Sequence, residues 1–177
     1  MGEHPEWLVL IYRVPTEPSR LRATIWRRLK GLGALYLQSS VAALPASYAS
    51  ERALRALRKE VQEMGGTASL LKSSVLAGGA DVLAAFNASR DDEYEEIIDK
   101  CNDFRVQVEK EFTEEHFTFA ELEENEEDLI KLQKWFDKVT ARDVLGATRR
   151  EVAANELKNC AKLLETFAVR VFAEEDR

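Results

Sequence analysis

Nine of the eleven basic residues in positions 1–80 fall in two short stretches, 20–30 and 52–59. If both stretches are helices, a wheel at about 100° per residue sorts them by face. With Ile25 at the centre of the buried side, Arg20, Arg27 and Lys30 point away from it, and Arg22 and Arg28 flank the stripe. The same construction around Leu57 turns Arg52, Arg55 and Lys59 outward and leaves Arg58 near the boundary. Cations gathered on one surface are the footprint of phosphate contacts, because each neutralised phosphate releases condensed counterions. Such a face also keeps a surface helix soluble, but only anion binding accounts for the shortage of acids expected there. The chemistry on offer is binding. Arg20, Arg22, Arg27, Arg28, Lys30, Arg52, Arg55 and Lys59 are the DNA-binding candidates.

Bond-breaking chemistry finds no footing. The histidines are His4, near the N-terminus, and His116, between two expected helices, and neither has a nucleophile beside it in sequence. A metal-dependent nuclease gathers carboxylates to hold a hard cation, yet the first apolar run ends in Tyr12-Arg13-Val14-Pro15 with no acid before Glu17. Gly65-Gly66 and Gly78-Gly79 lack the Lys of a phosphate loop, and there is no G-x-G-x-x-G. Cys101 and Cys160 form no C-x-x-C pair. Each falls on an apolar stripe, where a free Cys acts as a small hydrophobe. Trp7, Trp26 and Trp135 lie on or near such stripes and read as core or interface residues. No catalytic residue, no metal site and no cofactor is expected, and the chain reads as a non-enzyme.

The elements that carry these residues follow from apolar period and turn residues. Residues 7–14 are branched and aromatic and stop at Pro15, which reads as a buried strand. Residues 16–19 supply capping groups, and Leu21, Ile25, Leu29 and Leu32 mark a first helix that ends at Gly31-Leu32-Gly33. Residues 34–38 and 41–44, split by Ser39-Ser40 and closed by Pro45, suit a hairpin. A second helix over 50–64 carries Leu54, Leu57, Val61 and Met64 on one face, and 67–76 is a fourth strand. The order βαββαβ is that of the ferredoxin-like fold, with both helices on one face of an antiparallel sheet.

Gly78-Gly79 reads as a linker, beyond which helical periodicity takes over, with a short edge strand over 81–88 as an open alternative. Three helical stripes follow: Tyr94, Ile97, Ile98, Cys101, Phe104, Val108 and Phe112; then Phe119, Leu122, Leu129, Leu132, Phe136 and Val139; then Val152, Leu157, Ala161, Leu164, Phe167 and Val171. The expected architecture is α+β, a ferredoxin-like basic unit over 1–80 followed by an acidic C-terminal bundle of amphipathic helices over 81–177. Charge divides the same way. Residues 1–80 hold 11 Lys+Arg and 6 Asp+Glu, a balance of +5, whereas 81–177 hold 14 and 26, a balance of −12. The acidic run 121–128 reads as a solvated helix face.

Residues 7–45, W-L-V-L-I-Y-R-V-P-T-E-P-S-R-L-R-A-T-I-W-R-R-L-K-G-L-G-A-L-Y-L-Q-S-S-V-A-A-L-P, resemble the opening of ChrB-type chromate-resistance proteins. The distinctive parts are Arg13-Val14-Pro15, Pro18-Ser19-Arg20-x-Arg22, Trp26-Arg27-Arg28-Leu29-Lys30 and the hairpin from Tyr36-Leu37-Gln38 to Leu44-Pro45. The resemblance continues more loosely to about Arg170. It implies a chromate-responsive regulator of efflux operons whose N-terminal region is the DNA-binding portion, with the first-helix arginines as candidates. The family's C-terminal domain, associated with chromate resistance and sensing, would begin where this chain ends, which leaves chromate binding open. A similar strand-helix-hairpin layout occurs in the central domain of phenylacetate-responsive repressors and in the small CRISPR-associated adaptation protein, whose metal-binding acidic residue is missing here.

The expected partner is double-stranded DNA, with a homodimer as a further partner and no membrane. No apolar run approaches the roughly 20 residues that cross a bilayer, and the N-terminus lacks the basic start of a secretory signal, so a cytoplasmic location is expected. The rival reading is a protein-interaction or dimerisation module with no nucleic-acid binding, its basic face serving solubility or an acidic partner.

Overall fold

In a computed structural model of the chain, which describes residues 5–176, β1 (Trp7–Arg13) pairs antiparallel with both β3 (Val41–Pro45) and β4 (Thr67–Ser73). β2 (Leu35–Gln38) pairs with β3, so the sheet order is β2-β3-β1-β4. Helix α1 (Arg20–Leu32) carries the chain from β1 to β2, and α2 (Tyr48–Glu63) carries it from β3 to β4. Each crossover skips one strand, which produces the ferredoxin-like arrangement. Leu8 and Leu10 on one face of β1 are buried, and so are Ile25 and Leu29 of α1 and Leu54, Leu57 and Val61 of α2. Arg28 of α1 donates to Glu60 of α2 at 2.6 Å. Helices on opposite faces, separated by the sheet and two side-chain layers of about 10 Å each, could not make that bond. Both helices therefore lie on one side, as their apolar stripes require.

Local signals explain most boundaries. Gly33 takes φ 80°, and the bonds from Gly33 N–H to Lys30 and from Ala34 N–H to Leu29 close α1 in a Schellman turn. Ser47 caps α2, its Oγ accepting from Ser50 N–H at 3.0 Å, so that helix starts at Tyr48 rather than at 50. Ser19 has helical backbone angles and its side chain caps nothing, contrary to the expectation that residues 16–19 cap α1. β4 stops at Ser73 rather than at 76, leaving Leu76 fully exposed. The alternative of an edge strand over 81–88 is not taken up, because Gly79 opens a long helix, α3 (Gly79–Glu114), that takes in all of 81–88. Within it Phe86 is buried and packs edge-on against Trp7, ring centroids 5.8 Å apart. One apolar contact with helical spacing on either side outweighed the Gly pair.

The chain divides into two compact units, with the boundary inside α3 between Ser89 and Arg90. In the second unit the rest of α3 packs with α4 (Phe119–Arg142) and α5 (Arg150–Glu175). Tyr94, Ile97, Cys101, Phe104 and Val108 meet Leu122 and Val139 and a third row of Ala153, Leu157, Cys160, Leu164, Phe167 and Val171. Those three rows are the expected stripes with three exceptions. Phe119 and Val152 are exposed, and Ala161 is exposed while Cys160 and Ala153 hold the inner positions. Phe117 adds a ring to the same core, edge-on to Phe112 at 5.4 Å.

The second unit also buries polar groups. Asp143, at the end of α4, accepts from the Tyr94 hydroxyl through Oδ2 and from Ala147 N–H through Oδ1, both at 2.9 Å. Asp91 accepts from Arg149 N–H at 2.8 Å and from the Thr148 hydroxyl at 3.0 Å. These bonds fasten the α4–α5 connection, turned by Gly146 at φ 79°, onto α3. Glu111 is buried and accepts from Asn125 at 2.6 Å and Gln107 at 2.9 Å. Arg90 is buried against Glu93 at 2.8 Å, and Arg142 pairs with the same carboxylate.

Candidate nucleic-acid interface

All eight candidate cations are exposed. α1 supplies Arg20, Arg22, Arg27, Arg28 and Lys30, and α2 supplies Arg52, Arg55 and Lys59. Their surroundings differ. Arg28 is bonded to Glu60, Arg55 lies 2.7 Å from Glu51, and Lys59 lies 3.8 Å from Glu63. The expected shortage of acids thus holds for α1, whose first turn has none, and not for α2. The Arg27 Nε donates to the Ala23 carbonyl one turn back, and the Lys30 ammonium sits 4.9 Å from the centre of the Trp26 ring. Among the described residues the side chains of Arg20, Arg22 and Arg52 form no ion pair. Exposed pairs are worth roughly 0–1 kcal/mol, so a phosphate can compete for the paired arginines, while the unpaired ones are free to meet it at once. Arg58 is engaged within the fold, where its Nε donates to the Ala68 carbonyl at 3.0 Å and ties α2 to β4.

An open cavity of about 860 Å³ adjoins α1, lined by Arg13, Arg22, Trp26, Tyr12 and Tyr36 and by the β2–β3 turn at residues 38–40. Trp26, expected in a core or interface, is 48% exposed there. Trp7 is buried, and Trp135 packs against the core of the second unit. Sequence reading missed Arg13 and the two tyrosines because they come from separate strands. Only the turn signals between those strands hinted at their meeting.

The remaining chemical groups are placed without a site around them. His4 lies outside the described residues. His116 is exposed, its Nδ1 3.4 Å from Glu114. Among the described residues no group of three or more His, Cys, Asp or Glu is arranged to hold a metal ion, and no helix is long and apolar enough to cross a membrane. Cys101 and Cys160 are free thiols, both fully buried, and the Cys160 thiol donates to the Cys101 carbonyl at 3.5 Å. Contact with Cys160, together with burial, pushes the Cys101 thiol well above its ordinary value. In the run 121–128, Glu123, Glu124, Glu126, Glu127 and Asp128 are exposed as a solvated face, while Asn125 turns inward to Glu111.

A family model described as "Protein ChrB, N-terminal" matches residues 22–177. The chain belongs to the ChrB N-terminal family. No curated protein and no solved structure matches it. The match covers seven of the eight candidate cations, all but Arg20, together with the whole described second unit and the first unit from residue 22 onward. Arg13-Val14-Pro15 and Pro18-Ser19-Arg20, two of the parts on which the resemblance rested, precede the matched segment. ChrB membership suggests a role related to chromate resistance.

Proposed function

We propose that this ChrB N-terminal protein is a non-enzymatic cytoplasmic regulator of chromate resistance that binds double-stranded DNA through the exposed cations of α1 and α2. The observation that supports this reading is the side-by-side packing of the two helices, which gathers eight exposed cations, five of them without an ion pair among the described residues, on one side of the sheet. Phosphate contacts of this kind fix position and supply affinity at any sequence, while sequence discrimination needs base-edge contacts as well. The test is fluorescence anisotropy of the full chain on a labelled duplex over a range of salt concentrations. Binding that weakens steeply, with a slope of several units in log affinity against log salt, supports the reading. Binding absent at low salt overturns it.

One observation favours the rival dimerisation module. Ile11 and Leu71 are nearly half exposed on the sheet face away from α1 and α2, with Val9 beside them through the Val9–Leu71 pairing. An apolar face of this kind gives an association that hardly responds to salt. Sedimentation of the chain at low and high salt separates the two readings.

A further inference from the structure

The cavity beside α1 has a composition that phosphate contacts along a duplex do not require. Its lining includes two arginines, Arg13 from the end of β1 and Arg22 from the start of α1, and no Asp or Glu. Among the described residues neither guanidinium has an ion-pair partner. Two cations facing one concave space without a carboxylate raise the local concentration of anions. The guanidinium fork matches the spacing of phosphate oxygens better than an ammonium does.

The rest of the wall is aromatic and hydroxylic. Trp26 stands one turn after Arg22 on α1 and is nearly half exposed. The exposed Lys30 ammonium lies over one face of its ring at 4.9 Å, and a flat ring can stack on the other face or displace that side chain. Across from it the Tyr12 and Tyr36 hydroxyls share a hydrogen bond of 2.8 Å. Burial and the Tyr12 hydroxyl push the Tyr36 phenol far above its ordinary value, so Tyr36 stays neutral and adds no negative charge. The volume of about 860 Å³ lies within the roughly 300–1,000 Å³ of small-molecule sites and is many times that of a bare oxyanion.

We propose that this cavity binds a nucleoside phosphate, the phosphate held by Arg13 and Arg22 and the base against Trp26. The site does not depend on duplex binding. Its ligand is a single nucleotide, either free or at an unpaired position in a strand, because the space is concave and bounded by the hairpin.

Tryptophan fluorescence of the full chain tests it, titrated in parallel with the four nucleoside 5′-monophosphates, the four nucleosides, inorganic phosphate and a short single-stranded oligonucleotide. At least one monophosphate is expected to quench emission and to bind about tenfold or more tighter than its nucleoside or phosphate alone. Arg13→Gln and Arg22→Gln should each remove most of that advantage and leave nucleoside binding unchanged. Trp26→Phe should abolish the quench. Both arginines are exposed, and melting curves of the variants establish that they fold. An oligonucleotide that saturates the same Trp26 signal with Arg13 dependence, where free monophosphates do not, supports the shared chemistry and assigns the nucleotide to a strand. Equal affinity for phosphate and monophosphate, or affinities that ignore Arg13 and Arg22, overturns the proposal. Because Arg13 is not among the duplex-binding candidates, loss of nucleotide binding in Arg13→Gln and loss of duplex binding can be told apart.

Discussion

Replacing Asp143 by Ala should destabilise the second unit more than any surface change on it. The carboxylate accepts two bonds at 2.9 Å, from the Tyr94 hydroxyl and from Ala147 N–H, and all three residues are buried. Removing the acceptor strands both donors away from water, at about 1–3 kcal/mol each, so the expected loss is roughly 2–5 kcal/mol. Asp143→Asn keeps the shape and one acceptor oxygen, and should cost about half as much. Tyr94→Phe removes only one donor and should fall between them and wild type. The Asp143→Ala/Tyr94→Phe double mutant should be less unstable than the sum of the singles, because once Asp143 is gone the hydroxyl has nothing to lose. Urea unfolding followed by far-UV circular dichroism and by Trp135 emission reads the effect in the unit concerned. A loss in Asp143→Ala within about 0.5 kcal/mol, the size of an ordinary surface substitution, would refute the reasoning.

Three further outcomes follow from particular atoms. A Cβ at Gly66 would lie 2.3 Å from the Arg13 carbonyl and 2.9 Å from Val61 Cγ1, so Gly66→Ala should cost about 1–3 kcal/mol in a thermal melt, and an unchanged melt would contradict that close approach. Burial pushes the Tyr94 phenol up to about 12, and because its folded value exceeds the unfolded one near 10, the stability it contributes is complete below about pH 10 and declines as pH rises through about 12. Alkaline melts of Tyr94→Phe should accordingly fall less steeply above pH 10 than those of wild type, and parallel curves would count against it. Cys101 and Cys160 should be silent to Ellman's reagent in the native protein and yield two thiols in denaturant; rapid reaction of either in the native state would show the bundle core to be open.

The βαββαβ order was readable because its punctuation is local: Pro15, Gly33, Ser39-Ser40, Pro45 and Gly65-Gly66 each stop an element within one or two residues. The outward cations were readable for a similar reason, since the 3.6-residue period of Ile25–Leu29 and Leu54–Leu57–Val61 sets the opposite face. What was hidden depends on partners distant in sequence. Nothing near Arg28 announces Glu60, thirty-two positions on, and nothing near Tyr94 announces Asp143, forty-nine positions on. Polar residues such as Glu111 and Asn125 look like surface positions until the facing helix supplies their bonds. The first turns of α3 stayed open to a strand reading because the sequence of 81–88 does not announce that Phe86 meets Trp7 from a helix. The Arg13–Arg22–Trp26 cavity draws on β1, α1 and the hairpin together, so no single window of sequence contains it.

The central claim is that α1 and α2 present their cations to DNA phosphates, and the Arg27→Ala/Lys30→Ala double variant tests it most directly. Both side chains are exposed, and neither fills the core. Affinity for a promoter duplex and for a random duplex, measured across salt concentrations beside a thermal melt, should fall for both sequences. The log-affinity versus log-salt slope should lose about 2 in magnitude while the melting temperature holds. A folded double variant whose slope equals that of wild type on both duplexes would contradict the account.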